Sequence, residues 1–324
     1  MTTILVSGAS GIIGYGTLRS LRKGDPSYKL IGTTIYDDSV APAFCDIFEQ
    51  AIPTVDDGYV DWLCGVIEKH KVDMIIPCID VDMYAWNEHR ERIAQTGTKL
   101  LLNNLDLIEL CGDKWEFYKK MQAAGSKYLI DSKTEGTFAE LRDAFGLPFL
   151  MKPKRGFGSK GIVIVDSEEI FTKHKDDLGP VLMAQQIVGD EETEYTVSAF
   201  FDSNSTLCCL MGMRRKLGVE GFTQKAEVVD LPEAETAIKD MAALLKPVGP
   251  TNFQFRMHDG QLKLLEVNPR ISSATSIRTA FGYNESAMAV AYFLHNVTPT
   301  QPSIRRGYAV RYAEDQVFYD SDTV

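Results

Sequence analysis

Eleven consecutive residues, Met151-Lys152-Pro153-Lys154-Arg155-Gly156-Phe157-Gly158-Ser159-Lys160-Gly161, combine lysines, an arginine, a serine and three glycines. Glycines free the backbone N–H groups, and ammonium groups add charge; a triphosphate needs both. The spacing is not that of a Walker P-loop, and alone the run reads equally as a solvated basic turn. A second cluster is Asn252-Phe253-Gln254-Phe255-Arg256, then His258-Asp259-Gly260-Gln261, then Lys263-Leu264-Leu265-Glu266-Val267-Asn268-Pro269-Arg270. The Asp-Gly turn predicts a hairpin that brings Gln254 near Glu266. On a strand Glu266 and Asn268 share a face. One carboxylate and two amide oxygens are hard ligands that suit Mg²⁺ and leave positions for phosphate and water.

Weaker candidates surround these. Gly8-x-x-Gly11-x-x-Gly14 lies between an apolar run and a helical pattern, with Asp37 and Asp38 after the next run. That could be a dinucleotide fingerprint, or a glycine turn needed for strand–helix packing. No tyrosine has a lysine four residues on, which argues against an extended short-chain oxidoreductase. Arg214, Arg215 and Lys216 could reach phosphate or a substrate carboxylate, or form a solvated basic turn. Asp80 and Asp82 follow a strand at its carboxyl end, where open α/β sheets bind ligands, and could hold a substrate amine. They also suit the first turn of a helix.

The elements that must position these residues fall into two patterns. Strands at Thr3–Val6, Tyr28–Thr34, Val72–Ile76 and Lys99–Leu102 alternate with helices at Thr17–Arg22, Tyr59–Lys69 and Met83–Gln95. Alternation of this kind predicts a doubly wound α/β domain with a parallel sheet over about residues 1–105. From there strands dominate: Phe149–Lys152, Gly161–Val165, Val181–Gln186, Glu194–Phe201, Thr206–Met213, Thr251–Met257 and Leu262–Val267. Helices at Asp113–Ala124, Phe138–Ala144, Glu168–Lys175, Glu233–Leu244 and Ser286–His295 complete an α+β domain over 106–324.

Composition narrows the classes. The 324 residues are 44% hydrophobic and 24% charged, a globular balance. A formal charge of −11 argues against broad nucleic-acid binding but leaves room for a local basic pocket. Cys45, Cys64, Cys78, Cys111, Cys208 and Cys209 show neither a Cys-x-x-Cys pair nor zinc spacing. They read as reduced thiols of a cytoplasmic protein. The opening MTTILVSGAS is too short for a signal peptide, and no run of ~18 apolar residues predicts a membrane span.

In combination the motifs become specific. The Lys152-Pro153 strand with its glycine loop, the Gln185-to-Glu194 segment and Glu266-x-Asn268-Pro269-Arg270 occur in the order and spacing of the ATP-grasp superfamily. The chain most resembles the carbamoyl-phosphate-synthase-like branch. The resemblance covers about residues 105–300. It implies an N-terminal Rossmann-like pre-ATP-grasp domain followed by an ATP-grasp fold with a lid subdomain at about 125–185.

The resemblance also implies roles. Lys114 would contact nucleotide phosphate, and Lys152 would bind the α- and β-phosphates. Gly156, Gly158, Ser159 and Gly161 belong to the loop that would fold over the triphosphate. Gln185, Gln186, Ile187 and Val188 would meet adenine, largely through backbone groups. The family often has Glu where Gln185 stands. Glu194 would bind ribose; Gln254, Glu266 and Asn268 would hold Mg²⁺, with Mn²⁺ as an alternative. Arg270 would face the transferred phosphate, and Arg278 lies where the family often recognises its acceptor. The implied activity is ATP-dependent, ADP-forming ligation of a small carboxylate to an amine through an acyl phosphate. Such an enzyme has no nucleic-acid or membrane partner, and a homodimer is compatible with it. The rivals are a kinase-like or carbamoyl-phosphate-type reaction, a nucleotide sensor without turnover, and an NAD(P) oxidoreductase.

Overall fold

The computed structural model describes residues 1–156, 160–218 and 221–319. The chain divides into two units. The first is Met1–Leu102 with Gln224–Ala226 and the described residues from Arg270 onward; the second is Asn103–Thr223 with Glu227–Pro269.

In the first unit, β1 (Thr3–Val6), β2 (Lys29–Thr34), β3 (Ile47–Gln50), β4 (Met74–Ile76) and β5 (Lys99–Leu100) form a parallel sheet in the order β3-β2-β1-β4-β5. Ile4, Leu5 and Val6 are all fully buried, as expected of a parallel strand covered on both faces. The turn after β1 puts Gly8 at φ +60°, and a Cβ on Gly14 would lie 2.2 Å from the Gly8 carbonyl oxygen. The helix Ile12–Gly24 can therefore seat its first turns on that loop only with glycine at 14, which is the packing reading of the fingerprint.

Two C-terminal helices, Thr275–Ala280 and Glu285–His295, belong to the same unit. Asn284 Nδ2 donates to the Ser20 carbonyl at 2.8 Å, and the hydroxyls of Thr279 and Ser20 are 2.9 Å apart. The tail from Arg270, placed in the second domain by the sequence reading, is thus grouped with the first unit. The expected helix Met83–Gln95 is two helices, Asp80–Glu88 and Arg90–Ala94, because His89 (φ −102°, ψ 22°) leaves helical geometry. The short, half-buried β3 carried too little apolar signal to be anticipated.

The second unit has two sheets. In the first, β6 (Ser132–Lys133), β7 (Phe149–Pro153), β8 (Val163–Val165) and β9 (Leu182–Gln186) run antiparallel in the order β6-β9-β7-β8. They pack on Leu141, Phe145 and Phe171. The second sheet has β10 (Glu194–Phe201), β11 (Leu207–Leu217), β13 (Gly249–His258) and β14 (Gln261–Asn268), in the order β14-β13-β10-β11; of β12 (Thr223–Val228), only Thr223 and the residues from Glu227 belong to this unit. Within the first unit, β15 (Tyr308–Val310) lies beside the Gln224–Ala226 part of β12.

Alternation sorts the residues of this second sheet. Val197, Ala199, Phe201, Phe253 and Phe255 face a core shared with Ala237, Ile238 and Met241 of the helix Pro232–Leu245. Glu194, Thr196, Gln254 and Arg256 take the other face. On β14 the core residues are Leu262, Leu264 and Val267, an odd step between the last two. The register shifts there: Gln254 pairs with Glu266 while Phe255 pairs with Leu264. This bulge at Leu265 inverts the alternation and turns Glu266 and Asn268 onto the polar face.

Candidate functional site

Three strands of the first sheet orient Lys152. Its Nζ donates to Gln185 Oε1 at 2.7 Å, and Gln185 Nε2 donates to Ser132 Oγ at 2.8 Å. The Ser132 hydroxyl donates to the Ile130 carbonyl at 2.9 Å, so its oxygen is the acceptor toward Gln185. That relay fixes the amide of Gln185 with its oxygen toward the ammonium. Burial and the nearby Lys114 push the Lys152 amine down to about 8, with Glu266 opposing the shift. Lys114 opens the helix Lys114–Ala123, capped by Asp113 Oδ1 accepting from the amides of Trp115 and Glu116. Its own amide donates to the Lys154 carbonyl at 2.8 Å, and its Nζ donates to the Gly156 carbonyl at 2.7 Å.

Lys114, Lys152, Gln185 and Glu266 line a cleft in this unit together with Phe117, Tyr118, Ile130, Met183 and Leu264. Its walls are apolar enough for a flat ring, and its cations suit phosphate. Cys111 also lines it; burial and then Glu266 raise its thiol pKa, so it remains a neutral thiol. Gln186 N donates to the Asp131 carbonyl at 3.0 Å, and half-buried Ile187 follows the end of β9. Gly156 (φ +129°) and Gly161 (φ +74°) adopt conformations that favour glycine. Gly158 and Ser159 lie outside the described residues.

Glu266 and Asn268 share the polar face of β14, with Asn268 Nδ2 donating to Glu266 Oε2 at 3.4 Å. Among the described residues no three His, Cys, Asp or Glu side chains cluster as a metal cage. A single carboxylate beside an amide suits a cation brought in on phosphate oxygens, as Mg²⁺ is. Glu266 and Asn268 therefore fit such an ion. Gln254 differs: its Oε1 already accepts from Arg215 Nη2 at 2.6 Å.

Glu194 is buried and its four acceptor directions are filled. Oε1 accepts from Arg215 Nε (3.0 Å) and Nη2 (2.8 Å), and Oε2 from Arg256 Nε (3.1 Å) and Nη2 (3.0 Å). A ribose hydroxyl would have to displace a guanidinium to use it. Arg214 points outward to Glu227 at 2.6 Å, whereas Arg215 points inward.

In the first unit, Arg270 grips Asp80 with two bonds, Nε to Oδ1 at 2.6 Å and Nη2 to Oδ2 at 3.0 Å. The Asp80 carboxylate is thus committed to a guanidinium, which accounts for it without a substrate amine. Asp82 is buried and accepts from Thr54 Oγ1 at 2.6 Å. Arg278 corrects the expectation of an acceptor contact. It is 0% exposed and donates to Ser272 Oγ (2.7 Å) and Glu285 Oε1 (3.2 Å) within the unit. Arg278→Ala strands a buried carboxylate and should cost about 3–5 kcal/mol in denaturant unfolding. Arg278→Ala unfolding within 1 kcal/mol of wild type would contradict this structural role.

Reading from the sequence missed Ser132, which sits on a two-residue strand with no apolar pattern, and the pairing of Arg256 with Glu194. The two-residue period of Gln254 and Arg256 was the available signal for the second.

Comparison with known proteins gives two family matches. Residues 180–316 match the family described as ATP-grasp in the biosynthetic pathway with Ter operon, and residues 23–101 match the PylC-like N-terminal domain. Carbamoyl phosphate synthase large chains are similar: that of Methanosarcina barkeri is 24% identical over 269 residues, and that of Methanocorpusculum labreanum 27% over 270. These alignments cover 74% and 75% of this chain, but each spans only 25% of the relative. Among solved structures, N5-carboxyaminoimidazole synthetase from Staphylococcus aureus complexed with ADP superposes with a TM-score of 0.74 at 16% identity. That match covers 94% of this chain and 80% of the other. The biotin carboxylase domain of Hydrogenobacter thermophilus 2-oxoglutarate carboxylase, solved with MgADP, ADP and bicarbonate, gives 0.69 at 16% identity, covering 95% and 73%.

Proposed function

We propose that this chain, which belongs to the ATP-grasp superfamily, is an ATP-dependent, ADP-forming ligase that joins a carboxylate to an amine through an acyl phosphate. The observation that carries the reading is one cleft lined by the cations Lys114 and Lys152 and by the carboxylate Glu266. Phosphoryl transfer asks the protein for positioning and charge neutralisation more than for covalent chemistry.

Each residue then has a task. Lys152, aimed by Gln185, neutralises phosphate oxygens as charge moves onto the departing diphosphate. Lys114 does the same from the helix start. Glu266 and Asn268 would hold Mg²⁺, which when bound would clamp phosphate oxygens and polarise the transferred group. The substrate carboxylate oxygen forms a bond to the γ-phosphorus as the β–γ P–O bond breaks and ADP leaves. The amine nitrogen then bonds to the acyl carbon, the C–O bond to phosphate breaks, and phosphate departs as the nitrogen loses a proton.

The test is ADP release during a screen of carboxylates with and without amines, run with and without hydroxylamine. Hydroxamate together with amine-dependent product supports the ligase. A stable phosphorylated product that ignores the amine supports the kinase-like or carbamoyl-phosphate-type reading. Thermal stabilisation by NADP but not by ATP with Mg²⁺ would support the oxidoreductase reading; a ligand at 100 times its Kd adds about 2.7 kcal/mol.

A further inference from the structure

We propose that the second unit binds a single divalent cation with its nucleotide, on Glu266 and Asn268, and that Arg215 supplies a fixed positive charge on the Gln254 side in place of a second cation. The inference rests on the nucleotide reading above.

The sheet register makes the arrangement. Gln254 stands opposite Glu266 on one side and opposite Thr196 on the other, and Glu194 stands opposite Arg256. These side chains share the polar face with Arg215, which reaches both Glu194 and Gln254. Arg215 is only 5% exposed, and two of its nitrogens bond to one carboxylate oxygen. It is therefore built into the sheet rather than a surface arm in transit.

A dication ligated by Gln254 Oε1 would sit at about 2.0–2.1 Å from that oxygen. Arg215 Nη2 already lies 2.6 Å from the same atom. The guanidinium and the ion would then share one neutral oxygen, and Glu194, saturated by its two arginines, would offer no free oxygen between them. Repulsion between the two cations disfavours that ligation. Glu266 carries no such cation in its described bonds, and its bond to Asn268 uses the amide nitrogen, so that bond does not occupy Asn268 Oδ1.

Electron paramagnetic resonance of Mn²⁺, titrated into the protein with saturating ADP or a non-hydrolysable ATP analogue, counts the ions directly. Wild type and Arg215→Lys should each bind one Mn²⁺ per chain, and Arg215→Met should gain a second. Should Arg215→Met fold poorly with Glu194 left short of a partner, Arg215→Met combined with Glu194→Gln removes that carboxylate's charge and should also bind two. Two ions in wild type would overturn this inference alone, and so would a single ion in an arginine-free variant that folds. Absence of any nucleotide-dependent Mn²⁺ binding would overturn the nucleotide reading along with it.

Discussion

Glu266→Gln is expected to lower ATP-dependent turnover by about 10³-fold while leaving the fold intact. Glu266 is the carboxylate of the polar face whose described bonds leave it for a cation, since Glu194 is taken up by Arg215 and Arg256. The substitution keeps the shape of the side chain and removes its charge, so Asn268 retains a partner. Two neutral amides cannot replace an anionic oxygen for a hard cation. A second readout separates metal loss from a general defect: Mn²⁺ affinity in the presence of ADP should fall at least tenfold, while unfolding in denaturant moves by less than about 1 kcal/mol. Near-normal turnover in this variant would remove Glu266 from the metal site. Normal Mn²⁺ affinity with lost turnover would move its role to positioning Lys152.

Much of this site was legible because strand chemistry repeats every two residues. The Gln254/Arg256 and Glu266/Asn268 pairs each declare a common face, and the Asp259-Gly260 turn, with Asp259 at φ +49° and Gly260 at +73°, joins their strands. What the period could not show is the phase. Without the bulge at Leu265, Glu266 would share the core face with Leu262 and Leu264, and the Leu264-Leu265 doublet is the only trace of it in the sequence. Burial was equally hidden. Arg215 and Arg278 look like mobile cations in a string of letters, yet each is sealed against a glutamate, 21 residues away for Arg215 and seven for Arg278. Their partners come from the tertiary arrangement, so residue type pointed to charge and misjudged access. The grouping of the tail from Arg270 with the first unit was hidden for a similar reason. Its helices dock on Ile12–Gly24 through Ser20, a contact between residues more than 250 apart.

Lys152→Met should act in opposite directions on function and stability. Turnover and ATP affinity should fall, with turnover down by about 10²–10³-fold, because the variant removes a charge aimed at the phosphates by Gln185 and Ser132. The nucleotide-free fold, by contrast, should gain about 1–2 kcal/mol at pH 7. The reason is linkage. The Lys152 amine titrates at about 8 in the folded protein, below the ~10.4 of an unfolded lysine. Above ~10.4 both states are neutral; as pH falls toward 8 the unfolded chain takes up its proton first, and folding stability is lost. At pH 7 the folded protein bears the whole cost of that buried charge, which methionine does not carry. Wild-type stability should therefore rise between pH 8 and 10, and the difference between wild type and Lys152→Met should shrink over the same window. ATP supplies the anion that the apo cleft lacks, so nucleotide binding should take up a proton near pH 8 and weaken as pH rises beyond it. Denaturant unfolding of both proteins at pH 7 and 9.5, with proton uptake measured by calorimetry in two buffers, tests each part. A variant less stable than wild type at pH 7 would mean that Lys152 is an anchor of the fold, held by Gln185 for packing rather than for phosphate.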